Sequence, residues 1–378
     1  MLLYIYDRQM TLLGVVEKLT SFIWVRRYWS VGEFKLLVPF TETHGKILQK
    51  NNLIMRQVQN SEKIEVAEIL YTHISQNQEG KEEIEVQGRF ITRWIGKRII
   101  KNQIITKDTT PNIINRIVLE NITNPTDPAR RIPEIELAAA QEIERDAIDY
   151  TSEPFINALT GIEEAAKASK LGYRVYTDIK SKKHYFEVYD GRDLTADQTE
   201  NPPCIFSKEF DNVVEQEYTN SIENLKSMAY VGGENRQEEP REVVEVGAEM
   251  AGLDREEIFV NAVDITKTYT DDQGQEQILT DEEYTAMLNQ RGVQELEQYA
   301  ETLSFNSSIY TYGNLKYRED YDVGDRVTCL NKKWGIKINV RITEVSEIYQ
   351  QDGESLEITF GESLPALMDK IRQAMKRG

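Results

Sequence analysis

Short runs of apolar and polar residues alternate along the first hundred positions, broken by turn-forming residues. This pattern predicts strands at Leu2 to Tyr6, Phe22 to Tyr28, Phe34 to Val38, Leu53 to Arg56, Ile64 to Ile74 and Ile84 to Val86. A brief helix is expected from about Phe90 to Ile99, where Phe90, Ile91, Trp94 and Ile95 recur at helical spacing. The pattern then changes. Pro111 stands in the first turn of a helix carrying Ile113, Ile114, Ile117 and Val118, and Pro125, Pro128 and Pro133 form a connector. Pro154 is expected to open a second helix, with Phe155, Ile156, Leu159, Ile162, Ala165 and Ala166 on one face until Gly172 ends it. A hairpin follows, Tyr173 to Ile179 against His184 to Tyr189.

Beyond Cys204-Ile205-Phe206 and a Tyr-rich strand, Gly232-Gly233 reads as a turn, and residues 237 to 301 read as an insertion. That insertion holds a strand at Glu242 to Glu249, an acidic hairpin tip at Asp271-Asp272-Gln273-Gly274, and a helix from about Asp281 to Leu303. Thr280 with Glu283 three residues on makes a capping box for this helix. From Phe305 to Phe360 the chain is again nearly all strand. Trp334, Ile336, Ile338, Val340 and Ile342 alternate with Gly335, Lys337, Asn339 and Arg341, which predicts one buried and one wet face. A basic amphipathic helix is expected at Leu364 to Lys376.

One layout occurs twice, at Leu53 to Gly88 and at Arg326 to Gly361. Each copy has a short apolar strand, a polar turn, a long alternating strand, an acidic turn with Gly80 or Gly353, a second strand, and a closing Gly88 or Gly361. Side chains are not repeated, and the apolar phase of the long strands slips by one position. Two copies of a β-module per chain give six quasi-equivalent positions from three chains.

At 378 residues the chain exceeds one ordinary core. The expected division is a first β-domain at 1–105, a small α+β domain at 106–200, a second β-domain at 201–236 and 302–363, the insertion at 237–301, and a basic tail at 364–378. The 45 Lys and Arg face 64 Asp and Glu, so the net charge of −19 repels phosphate and argues against a nucleic-acid reader. Cys204 and Cys329 are the only cysteines, and two separate buried thiols fit them better than a disulfide or metal site. The opening MLLYIYDRQM reads as a strand and not a secretory signal, and no run approaches the roughly 20 apolar residues that span a bilayer.

Catalytic chemistry finds little support. His44, His73 and His184 lie in different segments without ligand-spaced partners, and no phosphate loop, nucleophile elbow or zinc motif is present. Among 64 carboxylates some neighbour by chance. Glu163-Glu164, Asp190/Asp193, Asp254/Glu256 and Asp322/Asp325 could each be imagined as a glycosidase dyad, but Asp190-Gly191-Arg192-Asp193 and Asp322-Val323-Gly324-Asp325 read better as turns. Tyr310, Tyr312, Tyr317 and Tyr321 come nearest to a carbohydrate platform, although their spacing suits packing. Neither cofactor nor metal is expected.

Several strings in fixed order carry a family resemblance: GYRVYTDIKSKKHYFEVYDGRDLT at 172 to 195, IFSKEFDNVVEQEYTNSIENLKSMAYVGGE at 205 to 234, GLDREEIFV at 252 to 260 and DYDVGDRVTCLNKKWGIKINVRITEV at 320 to 345. Together they resemble the siphovirus ReqiPepy-type tail proteins, a family of phage and prophage baseplate or tail-hub components, over nearly the whole chain. The resemblance implies a mostly antiparallel α+β fold with two tail-tube-like β-barrel domains plus smaller α+β domains. It also implies a non-enzymatic homotrimer joining a hexameric tail tube to a threefold spike or tip. Expected partners are copies of the chain itself, the tail tube protein, a spike or tail-tip protein, baseplate wedge or lysin components and the tape-measure protein. DNA would pass through the channel without specific binding. The expected location is the tail or baseplate of a virion or a phage-tail-like bacteriocin, assembled in the host bacterial cytoplasm. The strands bearing Ile64, Val66, Ile84, Val86, Trp334, Ile336, Ile338, Val340 and Ile342 are expected to face the tube and ring. The competing readings are a tail-associated cell-wall hydrolase and a carbohydrate-binding receptor protein.

Overall fold

The computed structural model describes residues 1–57, 63–235, 240–270, 275–310, 313–351 and 353–362. The expected basic helix at Leu364 to Lys376, the hairpin tip at residues 271–274 and Tyr312 lie outside these residues. Strands make up 44% of the chain and helices 19%, so the mostly antiparallel α+β class holds. The chain divides into two compact units. Unit 1 comprises Met1–Leu19, Trp29–Asp190 and Leu225–Ala300; unit 2 comprises Thr20–Tyr28, Gly191–Asn224 and the chain from Glu301 onward.

In unit 1 six antiparallel strands run in the order Glu33–Pro39, Glu82–Phe90, Val66–Gln76, Leu53–Arg56, Leu3–Tyr6, Leu12–Val16. Leu53–Arg56 is buried at all four positions, which explains its unbroken apolar run. Its core joins helices Thr110–Val118 and Ala158–Ala168 and the small sheet of Gly172–Asp178, Lys183–Tyr189 and Ile135–Leu137. Another core forms where Met228–Gly232, flanked by Val243–Gly247 and Glu257–Asn261, packs on helix Asp281–Glu297. Tyr284, Met287, Leu288, Arg291 and Gly292 form that helix's buried stripe. The capping box is present: the Glu283 N–H donates to Thr280 Oγ1 at 3.2 Å and the Thr280 N–H donates to Glu283 Oε2 at 2.9 Å.

Unit 2 is organised by one long strand, Ile336–Gln350. One of its edges pairs with Gly353–Gly361, followed by Thr302–Ile309 and Val213–Ser221. The other edge is shared, with Arg326–Asn331 along residues 336–341 and Ser21–Arg27 along 344–350. The parallel strands Asp193–Leu194 and Ile205–Ser207 complete the far side of Arg326–Asn331. Among the described residues neither strand path closes into a barrel.

The two copies of the repeated layout fold as the same three-strand meander. Opening and long strands pair Leu53↔Glu68, Ile54↔Ala67 and Met55↔Val66 in one, and Arg326↔Arg341, Val327↔Val340 and Thr328↔Asn339 in the other, the same register 273 positions apart. Each long strand skips one residue at the same place, Leu70 and Thr343. An extra residue reverses which side chains face inward. Val340 and Ile342 are buried before the bulge, Val345 and Glu347 after it. The closing strands differ by one step: Glu85 pairs with His73, whereas Glu357 pairs with Ser346, the position equivalent to 73. This step accompanies the shifted apolar phase of the sequence.

Several expectations are corrected. The second helix does not open at Pro154. It begins at Ala158, because Asn157 caps it by accepting from the Leu159 N–H at 3.0 Å, while Phe155 takes φ +58° and is 66% exposed. The insertion helix ends at Glu297 and not Leu303, since Thr302 and Leu303 pair into the Thr302–Ile309 strand. Phe90 stays in its strand, so only Ile91–Lys97 is helical, as a 3-10 turn. Trp334 precedes the long strand and is 46% exposed. Leu12–Val16 and the helix Glu42–Ile47 have no counterpart in the sequence reading.

Gly88 and Gly361 close the two meanders one register step apart, and each is glycine for a steric reason. A Cβ at Gly88 would overlap the Glu68 carbonyl oxygen, and one at Gly361 the Leu303 carbonyl oxygen. Gly88→Ala and Gly361→Ala are each expected to cost about 2 kcal/mol or more. Gly80→Ala, in open space with φ +79°, is expected to cost about 1 kcal/mol. Urea unfolding measures all three, and equal losses would refute the steric account.

Candidate functional site

Titratable and nucleophilic groups are held in structural roles. His184 is buried; its Nδ1 lies 2.8 Å from Thr177 Oγ1 and its ring meets Trp94 edge-on at 5.4 Å. Burial pushes its imidazole down to about 4 from 6.5, so it is neutral at pH 7. His44 Nδ1 lies 2.9 Å from the Pro39 carbonyl oxygen, and exposed His73 stacks on Tyr71. Cys204 and Cys329 are free, buried thiols; burial raises the first to about 11 and the second well above its ordinary value. No group of three or more His, Cys, Asp or Glu among the described residues could hold a metal ion.

At least one member of each imagined acid pair is held by a cation, a tyrosine hydroxyl or a backbone donor. Asp190 pairs with Arg145 at 2.5 Å, Asp193 with Arg326 at 3.2 Å and Glu256 with Lys226 at 2.9 Å. Glu163 accepts from the Tyr173 hydroxyl at 3.0 Å. Burial alone would raise the Asp322 carboxyl, but Arg26 and Arg318 hold it below its ordinary value. Asp325 makes a clasp: it accepts from the Arg192 N–H at 2.8 Å, the Arg192 guanidinium at 2.7 Å and the Asp322 N–H at 2.8 Å. It joins the two Asp-Gly turns seen in the sequence, and Gly191 sits so close to the Gly324 carbonyl that no side chain fits. At Gly232-Gly233 both carbonyls accept from Arg241, an arrangement unlike a phosphate cradle.

The strand faces offer a surface instead. Val66, Ile84 and Val86 are fully buried in unit 1, and Ile64 is half-buried with a bridge to Thr177. Val340 and Ile342 are buried in unit 2, Ile336 and Ile338 are half-buried, and Trp334 stands near Phe305 at 6.4 Å. These side chains anchor the sheets, and the opposite faces are polar. On the closing strands that face carries Glu83, Glu85 and Gln87 in one meander and Ser355, Glu357 and Thr359 in the other. Glu85 and Glu357 occupy register-equivalent positions. A hydrogen bond from Lys35 holds Glu85 below its ordinary pKa. The sequence signal for this face was the alternation, read from its apolar half. Of the proposed tyrosine platform, Tyr321 is core, Tyr317 is half-buried and Tyr310 is 49% exposed.

The family model described as Siphovirus ReqiPepy6 Gp37-like protein matches residues 2–362. No curated protein matches the sequence significantly. Among solved structures, the tail protein from Neisseria meningitidis is 11% identical, covers 96% of both chains and superposes with a TM-score of 0.57. The 43 kDa tail protein of prophage MuSo2 from Shewanella oneidensis is 11% identical over 95% of this chain and 98% of its own, with a TM-score of 0.55. Prophage tail protein gp18 from Listeria monocytogenes is 12% identical over 99% and 98%, with a TM-score of 0.53. At such identities the likeness is one of fold.

Two predictions follow from the buried polar groups. Between pH 6.5 and 4 the unfolded chain binds a proton that buried His184 refuses, so stability falls as pH falls through this window, by up to about 3 kcal/mol from this residue. Denaturant titrations at pH 7 and pH 4.5 measure the loss, and His184→Asn should reduce it; an unchanged slope would contradict the assignment. Asp325→Ala should destabilise unit 2 by about 2 kcal/mol by leaving its donors without an acceptor. Urea melts followed by Trp fluorescence test this, and a loss below about 0.5 kcal/mol, typical of surface changes, would remove the clasp from the account.

Proposed function

This chain belongs to the Siphovirus ReqiPepy6 Gp37-like protein family, and from that premise we propose that it is a structural tail protein, a baseplate or tail hub. Three copies form a ring that joins a hexameric tail tube to a threefold spike or tip. The observation that carries this reading is the duplicated meander, with its shared register and its bulge at Leu70 and Thr343. Three chains supply six such meanders, which reconciles sixfold contacts with threefold symmetry. The strands bearing Ile64, Val66, Ile84 and Val86 and those bearing Ile336, Ile338, Val340 and Ile342 serve as the tube-like walls. Their polar faces, with Glu85 and Glu357 at matching positions, line the channel.

Negative charge suits such a wall. With 64 acids against 45 bases the chain repels a passing polyanion, so DNA transits without sticking. Above the ring the partner is the tube protein, and the tape-measure protein occupies the channel before ejection. The segments at 106–200 and 237–301 meet spike, wedge or lysin components; Leu253, 100% exposed, and Phe259, 55% exposed, give the second segment an apolar contact surface. Assembly takes place in the host bacterial cytoplasm, and the finished protein resides in the tail. The reading assigns no catalytic step.

Native mass measurement of the purified chain with its tube protein should give three copies per ring, and images down the particle axis should show six similar lobes around one channel. A monomer that stays monomeric beside the tube protein, or six copies per ring, would overturn the adaptor reading. Replacing Glu85 and Glu357 together by Lys should leave assembly intact and make the ring retain DNA at low salt, a gain that disappears as ionic strength rises.

A further inference from the structure

Unit 2 contains a cleft of about 260 Å³. Its walls include Tyr310, Tyr317, Tyr321, Glu347, Tyr349 and Glu354. They come from three places: positions 310–321 after strand Thr302–Ile309, the long strand, and the start of the closing strand. Glu347 and Tyr349 stand two apart on the long strand and so share a face. The first meander has nothing comparable, because its equivalent positions hold Ile74 and Gln76. A contact that must be repeated six times cannot depend on residues present in only one of two copies.

The chemistry of the walls narrows what fits. Glu347 is 5% exposed and accepts from Arg318 at 3.3 Å and from the Tyr349 hydroxyl at 3.1 Å. Lys316, also at the cleft, pairs with Glu319 at 3.4 Å. With these charges matched, Glu354 is the carboxylate left at the cleft, and the site does not suit a phosphate. What remains is aromatic surface: Tyr310 is 49% exposed, and Tyr317, whose hydroxyl accepts from Arg26 at 2.7 Å, is half-buried. Flat rings suit the apolar face of a sugar, and tyrosine hydroxyls and carboxylates suit its hydroxyl groups. The volume falls below the roughly 300–1,000 Å³ of sites for larger ligands and suits a single ring.

We propose that this cleft binds one neutral pyranose ring. Tyr310 and Tyr317 stack on it, and Glu354 takes its hydroxyl groups.

The test uses the full chain and the methyl glycosides of glucose, galactose, N-acetylglucosamine and N-acetylgalactosamine, followed by saturation-transfer NMR and calorimetry. At least one probe should bind saturably, and Tyr310→Ala or Glu354→Gln should weaken it about tenfold. Tyr310→Phe, which keeps the ring, should retain most of the affinity, and Lys50→Ala, an exposed position outside the cleft, should change nothing. Failure of all four probes to bind with a Kd below about 10 mM would overturn the proposal. So would binding that survives both Tyr310→Ala and Glu354→Gln. A third overturning result is a cleft covered by another copy of the chain, read as Tyr310 protected from iodination in the trimer with no sugar bound.

Discussion

Strand register is the constraint on which this molecule rests. In a sheet with one buried face, the inward and outward residues are set by pairing, and a slip of one residue exchanges them. The bulges at Leu70 and Thr343 are therefore structural decisions: each lets one long strand present one phase to its first neighbour and the opposite phase beyond. In unit 2 this allows Ile336–Gln350 to serve Arg326–Asn331 with one half and Ser21–Arg27 with the other, with Val340, Ile342 and Val345 all in one core. The Thr343 side chain helps hold the bulge, donating to the Gly361 carbonyl at 2.5 Å, and Gly361 leaves room for the neighbouring strand.

Electrostatics follows from that frame. The protein carries an acid excess of 19, yet its buried carboxylates are matched locally. Glu68, with no exposure, is surrounded by Arg8, Arg93 and Lys97, and Glu187 by Lys63 and Arg174. An unpaired ion in such places would be costly, so the interior is neutralised and the excess goes to the surface.

The solved tail proteins share this fold at 11–12% identity. In this chain pairing and packing require glycines where strands approach, apolar residues of suitable volume inside, and turns that end strands on the correct side. The one-residue difference between the closing strands of the two meanders shows how much the pairing tolerates within a single chain.

The sequence by itself determined the local elements and their repetition. Leu53 to Arg56 was legible as an apolar run, the 336–342 stretch as an alternation, Thr280 with Glu283 as a cap, and the two Asp-Gly segments as turns, because each depends on neighbours within a few residues. It also carried the duplicated layout, since turn glycines and strand lengths keep their spacing when side chains change. Only the tertiary structure decided that Ser21–Arg27 belongs to unit 2, that Arg26 is buried against Tyr317, 291 positions away, and that Asp325 fastens a turn 133 positions distant. It also decided which tyrosines entered the core and which line a cleft. Those outcomes depend on partners brought together by the fold, and periodicity along a chain records the face a residue shows, not the segment that comes to meet it.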